Sequence, residues 1–83
     1  MAQFMDVHRG MVGVTEEQLL QAHRQDQAIE QEEGVRFIKA WADPRMGMVF
    51  CLSEGPNKDA VLRVHARAGH PTEEIYEVPL TIE

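Results

Sequence analysis

Residues Val35–Ser53, VRFIKAWADPRMGMVFCLS, decide the fold. Val35 to Ala42 is strand-like, Asp43-Pro44-Arg45 reads as a turn, and Met46 to Ser53 returns as a second apolar strand. The two make a hairpin. Phe37, Lys39 and Trp41 share one parity of its first strand, and Met48, Phe50 and Leu52 share one of its second. Ile38 and Ala40, then Val49 and Cys51, take the opposite parities. Both parities are largely apolar, which is the pattern of a sheet buried on its two faces.

Working outward, each flank supplies a strand and a helix. Upstream, Gln3 to Arg9 reads as a short strand closed by Gly10 and Gly13. Thr15 with Gln18 three positions on is a capping-box pair, and Glu16 and Glu17 suit a first helical turn. That helix is expected to run to about Glu33, with Gly34 as its left-handed stop. Downstream, Glu54-Gly55-Pro56 breaks the hairpin and Asn57 caps a second helix that reaches Ala68 before Gly69. Glu74 to Ile82 reads as a last strand, interrupted at Pro79. The order β-α-β-β-α-β specifies an α+β ferredoxin-like plait, an antiparallel sheet with both helices on one face. The helices cover one side only, so the other is expected to meet a second copy, giving a homodimer.

Length and charge bound the function. The 83 residues allow one domain, residues 1–83, with no repeat, linker or low-complexity tract. A hydrophobic share of 43% with 27% charged residues is globular. Eight basic against fourteen acidic residues leave a net charge of −6, which repels phosphate backbones and anionic lipid and suits a cation. Nucleic acid and membrane are therefore not expected as partners. The single Cys51 excludes an internal disulfide and fits a reducing cytoplasm. Asp6, His8 and Arg9 fall where a signal peptide needs an apolar core, so export is not expected.

The chemistry lies in four histidines and their acidic neighbours. On the first helix, Leu19, Ala22, Asp26, Ile29 and Glu33 form a stripe, with His23 and Glu30 on its shoulder. His23, Asp26 and Glu30 thus make a column at spacings of three and four, where packing alone would favour Leu or Val. On the second helix His65 shares the face of Val61 and Val64, and His70 follows just past the helix end. In the first strand Asp6 and His8 share a parity. Imidazoles beside carboxylates suit a divalent transition ion, and spacing alone does not choose nickel over zinc or copper. The ordinary readings are a hydrogen-bonded core histidine, an acidic solvated helix end and, for Cys51, a small core side chain. Whether His8, His23, Asp26 and His65 converge depends on which sheet face His8 and Cys51 occupy.

The runs Asp6-Val7-His8, Ala22-His23-Arg24-Gln25-Asp26, Gly34-Val35-Arg36, Val49-Phe50-Cys51-Leu52-Ser53-Glu54-Gly55-Pro56, Val64-His65-Ala66-Arg67-Ala68-Gly69-His70 and Ile75-Tyr76-Glu77-Val78, in that order, resemble a small bacterial family. It was long catalogued as a domain of unknown function and includes a streptomycete nickel-binding protein. The resemblance spans Phe4 to Val78. It implies a dimeric ferredoxin-like protein that binds and sequesters Ni2+, with His8, His23, Asp26 and His65 as motif positions. Glu30 and His70 join the candidate ligands from spacing alone. Because a ligating imidazole must be unprotonated, affinity is expected to fall as pH drops through roughly 6.5. Two other classes remain. One is a small cofactor-free enzyme, monooxygenase- or isomerase-like, using the cleft between helices and sheet. The other is a ligand-sensing module that would act through a partner chain.

Overall fold

The computed structural model describes residues 1–83. Strands β1 (Ala2–His8), β2 (Arg36–Asp43), β3 (Met48–Gly55) and β4 (Glu74–Glu77) alternate with helices α1 (Glu16–Ile29) and α2 (Lys58–Arg67) in the order β-α-β-β-α-β. Every strand pairing is antiparallel, and the sheet order is β2-β3-β1-β4. This is the ferredoxin-like plait.

The boundaries follow local chemistry. Thr15 and Gln18 close the expected capping box on α1. The α-helical part ends earlier than the sequence suggests, at Ile29, and residues Glu30–Glu33 tighten into a 3-10 turn that stops at Gly34 with φ 68°. The tightening has a partner: Glu30 Oε2 accepts the backbone N–H of Phe37 at 2.7 Å, so this carboxylate ties the helix end to the start of β2. The hairpin turn spans residues 44–47, where Asp43 Oδ1 accepts from the N–H groups of Arg45 and Met46. Gly47 completes it at φ 71°, and a Cβ there would stand 2.8 Å from the Val12 nitrogen, so only glycine fits. The last strand is shorter than expected. Pro79 lacks a donor, and residues 78–83 have no regular structure.

One parity in the hairpin is corrected. A bulge between Phe37 and Lys39 places Phe37 opposite Ser53, on the helix side, and Trp41 opposite Phe50, on the open side. Phe37 is buried and Trp41 is exposed. The hairpin is therefore not buried on both faces: β3 alternates half-buried and buried residues, its Val49, Cys51 and Ser53 facing the helices.

On the helix side two apolar clusters form. Phe4, Val35, Phe37, Ala60, Val61 and Val64 make one. Val14, Val49 and Cys51 make the other. The buried polar side chains gather beside them.

Candidate metal centre

Four elements build the site. β1 projects Phe4, Asp6 and His8 to the helix side, because alternate residues share a face. Directly across the ladder, Cys51 on β3 is the register partner of Asp6. α2 contributes His65, fully buried one residue after Val64, and α1 contributes Asp26, its single buried residue. A helix whose one fully buried residue is a carboxylate, with Leu19 and Ile29 only partly covered beside it, has been shaped by something other than burial of oil.

The hydrogen bonds form a chain. His65 Nε2–H donates to Asp6 Oδ2 at 2.7 Å, and His65 Nδ1–H donates to Asp26 Oδ1 at 3.1 Å. His70 Nε2–H reaches the same Asp26 oxygen at 2.7 Å. Burial alone would push His65 toward its neutral form, but the two carboxylates outweigh it and raise its pKa to about 9. His65 is therefore an imidazolium at neutral pH. Burial would likewise raise Asp6 and Asp26, yet both are held below the usual carboxylate value, Asp6 by His65 and His8, Asp26 by His65 and His70. Burial, then the charges of Asp6 and Asp26, pushes the Cys51 thiol well up.

The chain stops short at His8. Its Nε2 lies 3.0 Å from Asp6 Oδ1, but neither atom has a hydrogen-bond partner of acceptable geometry. Asp6 is completely buried and His8 is 9% exposed, so two strongly polar atoms are left desolvated. Donor atoms of Asp6, His8, Cys51 and His65 all lie within 4.8 Å of one another, as do those of Asp26, His65 and His70. Ligands at bonds of roughly 2.1 Å sit roughly 3 to 3.5 Å from their neighbours, so to hold an ion the first group would have to close in and the His65 proton on Nε2 would have to leave.

A cavity of about 50 Å³ adjoins the cluster, with His8, Asp26, Cys51, His23 and His70 among its walls and Met11, Val14 and Leu19 supplying much of the apolar lining. Its volume exceeds that of a single water.

The structure brings together four of the six residues singled out in the sequence: His8, Asp26, His65 and His70. The other two stand outside the hydrogen-bonded chain. His23 lines the cavity, its Nε2 3.1 Å from Gln27 Nε2 and its Nδ1 buried without a partner, and Glu30 is engaged by Phe37. The column of His23, Asp26 and Glu30 is thus divided among three tasks. Asp6 stood outside that set. Its signal was an acid at the parity of Phe4, in the middle of a strand next to Val7.

Fold and site together define a small α+β plait with a buried Asp/His/Cys constellation beneath its helices. The family model described as SCO4226-like, nickel responsive protein, matches residues 4–78, and the chain belongs to that family. The crystal structure of SCO4226 from Streptomyces coelicolor A3(2) is 60% identical in sequence and superposes with a TM-score of 0.95 over 98% of this chain and 100% of that one. No curated protein matches the chain.

Proposed function

We propose that this chain binds divalent nickel at the buried cluster, sequesters it and so contributes to metal homeostasis. The observation that carries this reading is the orphaned pair Asp6 Oδ1 and His8 Nε2, buried 3.0 Å apart. Such a pair is costly in a protein with no further task and becomes favourable when a cation stands between the two atoms. The nickel-responsive family description supports the choice of metal. The same donors fit zinc or copper. Asp6, His8 and His65 Nε2 would hold the ion. Asp26 would keep the other His65 nitrogen protonated and the ring oriented, and His70 would hold Asp26 in turn, the arrangement by which a carboxylate behind a ligating imidazole tunes it. The net charge of −6 draws a cation toward the site.

Calorimetric titration of Ni2+ tests the assignment. Asp6→Asn and His8→Ala are expected to abolish binding, while Glu30→Gln and His23→Ala retain it. Equal stoichiometry and affinity in wild type and Asp6→Asn would remove the cluster from the function.

The chain is further proposed to act as a homodimer through its open sheet face. Trp41, at 41% exposure, and Tyr76, at 54%, flank Phe50, Leu52 and Met5, leaving an apolar surface that a second copy would cover. Sedimentation should give twice the chain mass, and Trp41→Glu should give the monomer. No helix is long and apolar enough to cross a membrane. A buried, unpaired thiol suits the reducing cytoplasm as the place of action. The cavity beside His8, His23 and His70, about 50 Å³, is well below the roughly 300–1,000 Å³ of pockets that take an organic ligand, which leaves the small cofactor-free enzyme, monooxygenase- or isomerase-like, as the weaker reading. Turnover of an organic substrate by metal-free protein would select it.

A further inference from the structure

We infer that the cavity on the helix side is the route by which the cation reaches the buried cluster, and that His23 is the nitrogen that receives it on the way. This rests on the metal-binding reading above and adds to it the path and the residue that serves the path.

Three observations carry it. Exposure falls along the cavity wall: Met11 and Gln18 are exposed, Leu19, Ala22 and His23 are half-buried, and His8, Asp26 and Cys51 are buried at the inner end. Away from the cavity the cluster is shut, since Asp6 and His65 have no exposed surface. The rim is also fixed in place. Met11 N–H donates to Gly47 O at 2.9 Å and Gly13 N–H donates to Pro44 O at 3.0 Å, which holds the segment between β1 and α1 against the hairpin turn. Finally, His23 Nδ1 is buried without a hydrogen-bond partner although its ring lines the cavity.

Desolvation sets the task of that ring. A cavity of about 50 Å³ takes roughly three to five waters at roughly 10–15 Å³ each, fewer than the octahedral shell of a hydrated divalent ion. An ion moving inward therefore sheds water against mostly apolar walls, and each lost ligand is costly unless a side chain replaces it. In the half-buried part of the wall Leu19 and Ala22 offer carbon, and His23 offers nitrogen. A neutral imidazole carries its proton on either nitrogen, and the Gln27 amide, 3.1 Å from Nε2, can present its nitrogen or, turned over, its oxygen. With the proton on Nε2, the Nδ1 lone pair is free to take the ion. Asp26, one turn further along α1, draws it on toward His8.

A group that serves only the path lowers the barrier in both directions. Its loss slows binding and release equally and leaves affinity unchanged, which separates it from a ligand.

Release of Ni2+ from the loaded full chain into excess chromogenic chelator gives the dissociation rate, and calorimetry gives the affinity. Ala22→Phe, which puts a ring into the cavity, should slow release about tenfold, a barrier about 1.4 kcal/mol higher, with affinity within about twofold of wild type. His23→Leu should slow release in the same sense and keep its affinity. Leu20→Phe, at an exposed position of α1, should release at the wild-type rate. If circular dichroism shows that Ala22→Phe does not fold, Met11→Trp at the rim takes its place. Wild-type release from the cavity variants overturns the route and leaves the buried cluster standing as the site. Loss of affinity in His23→Leu makes that ring a ligand and overturns its role in passage. Wild type that binds no nickel overturns the metal-binding reading and the route with it.

Discussion

Strand β1 and helix α2 each run from an oily region into an ionic one. Phe4 and Val61 belong to an apolar cluster, while Asp6 and His65, a turn or a pleat further on, are fully buried as charges. The two regions share a sheet, a helix layer and a degree of burial. They differ in what burial does. In the first it removes hydrocarbon from water and needs no geometry beyond close packing. In the second it strips charges of solvent and is tolerable only because each is met by a counter-charge, and at Asp6 Oδ1 and His8 Nε2 even that is incomplete. A fold of this size has little stability to spare, so an ionic interior that does not stabilise better than leucine would is a sign of function.

Substitutions in the two regions should differ in how their cost varies with pH. Phe4→Ala should lower unfolding free energy by about 3–5 kcal/mol, by the same amount at pH 6 and pH 9, because no proton is involved. Asp6→Ala should cost a similar amount at pH 6, about 3–5 kcal/mol, by leaving His65 with one counter-ion, and clearly less at pH 9, where His65 is losing its charge. Urea titrations at the two pH values separate them. In the metal-free wild type, His65 is raised in the folded state. Its contribution is complete below about 6.5 and is lost as pH climbs through about 9, a decline on the order of 3 kcal/mol. Asp6 and Asp26 are lowered, so theirs is present above the ordinary carboxylate value of 3.8 and is lost as pH falls through it. Stability should therefore peak between about pH 5 and 6.5.

Nickel and the His65 proton compete for one nitrogen. Apparent affinity should rise about tenfold per pH unit between pH 7 and pH 9, past the point where ordinary histidines have finished titrating. A plateau above pH 7 would take His65 out of the site. The smallest effect is expected at Glu30. Glu30→Ala removes the acceptor for Phe37 N–H and should cost about 1–2 kcal/mol of stability with nickel affinity unchanged.

The fold was legible because its signals are local. Thr15 with Gln18, Asn57 and Gly34 mark helix ends by bonds between residues a few positions apart. The hairpin parity at Phe37 was misread because a bulge at residue 38 leaves no mark in the alternation of apolar residues. Within the site, His65 and Asp26 were visible as polar residues on apolar helix faces. The column with His23 and Glu30 was a true helical neighbourhood, but Glu30 finds its partner on β2, which helix spacing does not encode. Asp6 and Cys51 needed the β1–β3 register, a tertiary fact, before their proximity could be seen.

Metal binding at this centre requires that a cation enter the gap between β1 and α2. A crystal soaked in Ni2+ and measured at the nickel absorption edge answers this directly. An anomalous peak within bonding distance of Asp6 Oδ1 and His8 Nε2 is the predicted result. Nickel found only at surface residues, with the His65 bonds to Asp6 and Asp26 undisturbed, would contradict it.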